Sequence, residues 1–325
     1  MDDQYKVSII IPHYNTPDLL KKLLSTIPDN KEIQTIVVDD HSDEDSRAKV
    51  RELETLYADR PMLFLDNTSA HNAGTARNIG LKYAQGKWLM FADADDYFLP
   101  GFYEGIKKYF DTGYDMIFFQ PISCRLDTGE VGKRHLDYAG YINDYFNKPC
   151  VKTEAILRYK WAASWSKLIR ASVVKEHNIR FESIKYSNDN VFSAQIGLFA
   201  KEIAVSKETI YCVVYRDGSL TTDMDITSFD IRTWAKIRKF RFLKTHLTKE
   251  ELHDCDAYQL AIAQLLIILR RGYGLRCFTK YLKLFQKNQM LIFDIRMFNP
   301  VYFLQWLSEC RKEREIVRSQ TSSVE

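Results

Sequence analysis

Trp88-Leu89-Met90-Phe91-Ala92-Asp93-Ala94-Asp95-Asp96 joins an apolar run to three carboxylates within four positions. The apolar half reads as a buried strand and the acidic half as the turn that leaves it. Like charges set so close repel unless something positive answers them, and a hard divalent cation with its phosphates does so. A solvated turn tolerates the same composition, so the meaning of the segment depends on its neighbours.

Two other runs are built the same way. Val7-Ser8-Ile9-Ile10-Ile11-Pro12-His13-Tyr14-Asn15 is a β-branched run closed by proline, the pattern of a buried parallel strand breaking into a loop. Thr35-Ile36-Val37-Val38-Asp39-Asp40-His41-Ser42 is a second apolar strand ending in carboxylates. With a strand at Met62 to Leu65 and amphipathic helical stretches between, the order is β-α-β-α-β-α-β. In open α/β sheets of this kind, ligands collect outside the carboxyl ends of the strands. Three polar strand ends are therefore expected to share one crevice.

At 325 residues, 46% of them apolar, the chain has material for one large domain or two smaller ones. Cys124, Cys150, Cys212, Cys255, Cys277 and Cys310 show no C-x-x-C or Cys/His ligand spacing, which argues against zinc and against a disulfide framework. Met1-Asp2-Asp3-Gln4 runs directly into a strand without the pattern of a secretory signal, and Leu260 to Leu269 is too short to span a bilayer. A cytoplasmic location is expected, with the inner face of the cell membrane as an available surface. The net charge of +3 hides an asymmetry. From Phe229 to the end, 18 Lys and Arg face 10 Asp and Glu, a balance that suits a polyanion, a membrane, or simply solvated helix faces.

After Asp96 the pattern predicts a helix over 101–110, a strand over 115–119, and a hairpin whose turn, Asp127-Thr128-Gly129, joins Ile122–Leu126 to Val131 and beyond. An aromatic-rich mixed region runs to about Tyr215. From Thr227 the pattern is helical, with breaks at Gly272-Tyr273-Gly274 and Asn299-Pro300.

Five segments occur in one order: Val7 to Asn15; Ile36 to Ser42; Asn72-Ala73-Gly74-Thr75-Ala76-Arg77-Asn78-Ile79-Gly80; Asp93-Ala94-Asp95-Asp96; and Asn188-Asp189-Asn190. Together they resemble the family 2 inverting glycosyltransferases with the GT-A fold, over roughly residues 6 to 220, and most of all the bacterial enzymes that build capsule, O-antigen or exopolysaccharide. The resemblance implies an α/β GT-A domain over 1–226, with a Rossmann-like nucleotide half (about 1–112), a mixed central sheet and an acceptor half (about 113–226). A helical extension over 227–325 follows. The implied activity is metal-dependent transfer of a sugar from a UDP-sugar to a saccharide or lipid-linked saccharide hydroxyl in cell-surface polysaccharide synthesis, with Mg²⁺ or Mn²⁺ and without nucleic acid.

Each motif also has a reading of its own. Asp40 can accept a hydrogen bond from a pyrimidine imide N–H, while Tyr14, just past Pro12, offers a ring whose stacking is worth about 0.5–1.5 kcal/mol; the resemblance puts uracil there. A helix cap is the plainer role for Asp39 or Asp40. Asn72 and Gly74 open a helix near Arg77, where free amides and a guanidinium favour a pyrophosphate, unless this is an ordinary cap with Arg77 solvated. No P-loop or G-x-G-x-x-G turn is present. Asp93 and Asp95, separated by Ala94, fall on one side if the strand persists; the resemblance makes Asp95 the metal ligand and brings Asp93 to the ribose or a metal-bound water. Asp96 is a second ligand or a helix cap.

Asp189 stands at the mouth of a helix where the resemblance expects the base that deprotonates the acceptor; an N-cap is its plainer role. Asn188 occupies the place of a glutamate in that family, which removes one carboxylate. Trp165 and Lys167 belong to a segment similar to one that lies near donor sugar and acceptor, which would set Trp165 on a sugar face and Lys167 on a phosphate; core packing and a solvated charge are the alternatives. Arg216 opens Tyr215–Thr221, similar to a loop that closes over the diphosphate. His13, His41 and His71 lack metal-ligand spacing and read as hydrogen-bonding residues. Cys277–Phe285 and Tyr302–Leu307 mix aromatics with Lys and Arg, the composition of a helix lying in an anionic interface, so peripheral membrane contact is expected unless those aromatics are buried. Two rivals stay open. A sugar-1-phosphate nucleotidyltransferase needs a Gly-rich basic loop that Pro12-His13-Tyr14-Asn15 does not supply, and a non-catalytic nucleotide-sugar or saccharide-binding protein is kept alive by Asn188.

Overall fold

In the computed structural model, the residues described are 5–216, 225–290, 299–305 and 307–308. Strands β1 (Tyr5–His13), β2 (Ile33–Asp39), β3 (Met62–Asp66) and β4 (Gly86–Phe91) lie parallel in the spatial order β3-β2-β1-β4. Helices α1 (Pro17–Ser25), α2 (Glu44–Leu56) and α3 (Ala73–Tyr83) make the crossovers. Val7, Ile9, Ile10 and Ile11 are all fully buried, as a central parallel strand covered on both faces requires. Pro12 lies beyond the last β1–β4 pair, Ile10 with Phe91, where its missing N–H costs no ladder bond to β4. The pairs His13–Asp39 and Asp39–Asp66 align the carboxyl ends of three strands at one edge.

The sheet continues through β5 (Tyr97–Phe98), β6 (Met116–Arg125), β7 (Lys167–Arg170) and β8 (Ile203–Tyr215), giving the full order β3-β2-β1-β4-β7-β6-β8-β5. β7 is antiparallel to both β4 and β6, β5 is antiparallel to β8, and β6 is parallel to β8. The central sheet is mixed, as expected. Around it stand α4 (Phe102–Lys107), α5 (Leu136–Asn147), α6 (Val151–Ala155), a π-helical turn at Ile156–Lys160, α7 (Ala171–Glu176) and α8 (Asp189–Phe199).

The expected hairpin forms differently. β6 is one long strand whose ladder is taken by β8, and the return past Gly129 is a single bridge, Cys124 with Val131. The register between β6 and β8 slips on either side of Gln120. That irregularity admits Pro121, which has no N–H to give a regular ladder.

The chain divides into two compact units, 1–216 and 217–325. The second holds α9 (Ile226–His246), α10 (Lys249–Asp254), a 3-10 turn (Ala257–Gln259), α11 (Leu260–Arg270) and α12 (Leu275–Lys287). Asp225 and Thr248 cap α9 and α10 through the N–H groups of Ser228 and Glu251. Gly272 and Gly274 take positive φ at the expected break, a conformation glycine adopts without steric cost. In α12, Tyr281 and Phe285 are fully buried, Tyr281 against Phe229 at 5.2 Å between ring centroids, so these two aromatics are core residues, while Leu275, Arg276, Thr279, Lys280, Lys283, Gln286 and Lys287 are exposed. Val301, Phe303 and Leu304 are exposed, whereas Trp306, Cys310 and the tail lie outside the described residues. Among the described residues no helix is long and apolar enough to cross a membrane, and Cys124, Cys150, Cys212, Cys255 and Cys277 are free thiols.

Candidate active site

β4 stops at Phe91, and Asp93–Asp96 closes a turn through the Asp96 N–H to the Asp93 carbonyl at 3.0 Å. The strand does not persist, so alternation is not what aligns the carboxylates. The turn hangs from β8 instead. The Tyr211 hydroxyl accepts the Asp93 N–H at 2.9 Å and donates to Asp96 Oδ2 at 2.7 Å, while the Val214 N–H reaches Asp96 Oδ1 at 2.7 Å. Asp96 is therefore neither ligand nor helix cap but the buried anchor of the turn. Burial, then the charges of Asp95 and Asp93, push its carboxyl well above the usual range.

With Asp96 pinned inside, Asp93 and Asp95 remain partly open, their side chains 36% and 26% exposed. Each meets a guanidinium: Arg77 pairs with Asp93, and Arg216 Nε lies 3.4 Å from Asp95 Oδ2. Burial and the neighbouring Asp93 raise the Asp95 carboxyl, opposed by Arg216 and Arg134. Arg134 reaches this end of β8 through the Val214 carbonyl, 3.4 Å from its Nη1.

Asn72 caps α3, its Oδ1 accepting the Thr75 N–H at 3.0 Å. Arg77 sits one turn further in, away from the free amides of the helix start. It is buried, donates to Asn188 Oδ1 at 2.9 Å as well as to Asp93, and lies over the Phe181 ring. The chain before α8 is pressed against α3, where Asn78 makes two 2.9 Å bonds to the backbone of Phe181. Gly74 permits that approach, since a Cβ there would stand 2.2 Å from the Glu182 carbonyl oxygen. Gly74→Ala is expected to push the 182–188 segment away, costing about 1–3 kcal/mol, the usual range for overpacking, with Arg77 losing its hold on Asn188. Chemical denaturation measures the loss, and an unchanged midpoint would mean that the segment yields freely.

That approach brings Asp189 to the site. Asn188 holds the N-cap position of α8 but makes no cap bond with its side chain, which serves Arg77 instead. Asp189 is the first helical residue, and among the described residues no side chain hydrogen-bonds its carboxylate. Burial raises this carboxyl above its ordinary range, with Arg77 and Lys167 opposing and Asp93 reinforcing the shift.

At the other end of the edge, Asp39 and Asp40 part company. Against the cost of burial, hydrogen bonds from His13 Nδ1 (3.0 Å) and the Ser42 N–H (3.0 Å) hold Asp39 at about 2. His13 Nε2 accepts the Thr16 N–H at 3.2 Å, so the ring proton sits on Nδ1, facing Asp39. Asp39 is part of the strand-end scaffold. Asp40 gives one oxygen to Asn67 Nδ2 at 2.6 Å and turns the other toward His71. Tyr14 is exposed, and its ring also meets that of His71.

Trp165 and Lys167 belong to the backing of the site. Lys167 is 2% exposed, because β7 is clamped between β4 and β6, and its Nζ donates to the Trp161 carbonyl at 2.9 Å. A phosphate contact for Lys167 does not fit that placement; its charge is felt by Asp189. Trp165 is buried and stacked on Tyr211, and Ala94 is buried in the turn. Of the segment after Tyr215, only Arg216 lies within the described residues.

Asn67, Tyr211 and Arg134 escaped the sequence reading. Asn67 had a signal, since Asp66-Asn67 ends an apolar strand just as Asp39-Asp40 does. Tyr211 lies within a β-branched and aromatic strand where a hydroxyl has no pattern. Among the described residues no group of three His, Cys, Asp or Glu gathers to hold a metal. Asp93 and Asp95 suit a Mg²⁺-like cation even so, since such ions take one or two carboxylates and complete their shell with phosphate oxygens and water.

Residues 8–164 match the profile of Glycosyl transferase family 2. The chain is 26% identical over 221 residues to the poly(ribitol-phosphate) beta-glucosyltransferase of Bacillus spizizenii, covering 66% of this chain and 33% of that protein. It spans about a third of the length of the curated relatives it matches. Among solved structures, S. aureus TarS 1–349 in complex with UDP-GlcNAc superposes with a TM-score of 0.57 at 16% identity, covering 87% of this chain and 92% of that one. A mannosyltransferase from Pyrobaculum calidifontis in complex with GDP-Man and Mn²⁺ gives 0.55 at 17% identity, with coverages of 88% and 85%. These likenesses establish the fold as GT-A.

Proposed function

We propose, from the premise that residues 8–164 belong to glycosyl transferase family 2, that the chain is an inverting glycosyltransferase. It moves a hexose-type sugar from a UDP-sugar to a hydroxyl of a saccharide, glycopolymer or lipid-linked saccharide in the synthesis of cell-surface glycopolymers. The observation that carries the reading is the convergence of Asp93, Asp95 and Asp189 on one edge, where Arg77 ties the acidic turn to the residue preceding Asp189. The UDP-GlcNAc bound by TarS supports the donor class, and the poly(ribitol-phosphate) acceptor of the Bacillus spizizenii relative supports a glycopolymer acceptor.

In this reading Asp40 accepts the imide N–H of uracil and Tyr14 stacks on the ring. Arg77 keeps Asp93 turned toward the ribose and diphosphate, and Arg216 approaches the phosphates from the end of β8. A divalent cation, Mg²⁺ or Mn²⁺, held by Asp95 with Asp93 beside it, would supply positive charge that stabilises the departing diphosphate. Asp189 takes the proton from the acceptor hydroxyl as that oxygen attacks the anomeric carbon opposite the leaving UDP. One displacement assisted by one base inverts the centre, and no enzyme nucleophile is needed. The acceptor half, about 113–226, would select the hydroxyl.

Incubation with a panel of UDP-sugars, Mg²⁺ or Mn²⁺ and a saccharide acceptor tests the reading. Acceptor-dependent release of UDP is the expected result. Formation of sugar-1-phosphate and UTP from pyrophosphate would make the chain a nucleotidyltransferase, and UDP-sugar binding without turnover would make it a binding protein.

A further inference from the structure

We infer that His71 occupies the base subsite of the donor nucleotide and must leave before the nucleotide can bind, an inference that rests on the donor reading above. Asp40 is nearly closed to water, being 4% exposed. Its Oδ1 is taken by Asn67, which is itself fastened to the Thr75 hydroxyl at 2.9 Å and the Ala70 carbonyl at 3.0 Å. Oδ2 is the oxygen left for a ligand, and His71 Nε2 stands 3.7 Å from it.

The same imidazole lies 4.5 Å from the Tyr14 ring, centroid to centroid, tilted by 57°. A single side chain thus touches both groups assigned to uracil: the aromatic face it would stack on and the carboxylate that would accept its N–H. His71 is an internal mimic of the base. His41 closes the other side at 5.5 Å, held by its own Nε2 contact to the Ser69 carbonyl at 2.9 Å.

The mimic is built to be displaced. His71 lies in the connection between β3 and α3, immediately before the cap Asn72, and its side chain is half exposed. A separation of 3.7 Å is beyond a hydrogen bond, so swinging the ring outward breaks no buried bond. The uracil imide can instead approach Asp40 to full hydrogen-bond distance. Self-occupation lowers apparent affinity in proportion to the open fraction; if the ring holds the subsite about nine-tenths of the time, apparent Kd rises about tenfold.

Titration calorimetry of UDP into the full chain and into His71→Ala, at one pH and with the same Mg²⁺, reads this directly. His71→Ala is expected to bind UDP roughly three- to tenfold more tightly, and UMP by the same factor, because the effect resides in the base. His71→Ser should behave alike, with thermal unfolding of both variants near that of the parent. Equal or weaker binding by both variants, while the parent still binds UDP, overturns the inference and leaves the donor reading standing. No UDP binding by parent or variants removes both.

Discussion

Asp189→Asn is expected to lower turnover by about 10²- to 10⁴-fold, the usual contribution of a positioned general base, while UDP binds as before. The substitution keeps the size of the side chain, so Arg77 can stay on Asn188 and Asp93. The pH dependence follows from the environment. Burial raises the Asp189 carboxyl above its ordinary range despite the opposing charges of Arg77 and Lys167. The acidic limb of the kcat/KM profile should therefore fall above the usual carboxylate range and vanish in the variant. Stability separates this role from a cap. A carboxyl whose folded pKa is raised contributes stability below its unfolded value that is lost as pH rises through the folded one, so at neutral pH the ionised group weakens the fold. Asp189→Asn should then unfold at or above the parent's temperature at pH 7. An N-cap would instead cost about 1 kcal/mol on removal, and a less stable variant with unchanged kcat would end Asp189's candidacy as base.

Asp95→Ala is the second large effect. Removing one preorganised electrostatic partner of a transition state costs about 10²- to 10³-fold, and Asp95 is proposed to hold the cation on which the leaving diphosphate depends. Folding should hardly notice. The Arg216 contact is long and partly exposed, and such pairs are worth about 0–1 kcal/mol. Independently of turnover, UDP affinity should rise with Mg²⁺ or Mn²⁺ in the parent and become insensitive to either ion in Asp95→Ala. Full activity of the parent in excess chelator would take the metal out of the reaction.

The edge where the strand ends meet was legible because buried parallel strands need continuous β-branched runs, and Val7–Ile11 and Ile36–Val38 have little else they can be. The grouping of Asp40, Asp93 and Asp95 followed once those strands were parallel, since their carboxyl ends then meet at one edge. The roles within the group were harder to read. Asp96 and Asp95 are adjacent and chemically identical, and only the donors on β8 decide which is buried. The resemblance offers Lys167 to a phosphate, yet the antiparallel clamp on β7 carries it inside, where a backbone carbonyl and aromatic rings receive it. The hairpin after β6 turns where expected but stays short for a related reason: a local turn signal at Asp127-Thr128-Gly129 says nothing of β8, some eighty residues later in the chain, which takes the ladder. Long-range pairing decided all three.

The suspension of the acidic turn from Tyr211 and Val214 has a consequence for how such a chain can change over generations. The Tyr211 hydroxyl and Asp96 satisfy one another in a place that water does not reach, so losing either alone strands a buried polar group, at about 1–3 kcal/mol. Losing both to apolar side chains leaves the N–H groups of Asp93 and Val214 without the acceptors they have here. The two positions should therefore be kept together, Tyr with Asp. Asp95, itself partly open and meeting Arg216 only at 3.4 Å, is free of that bargain and answers to chemistry alone.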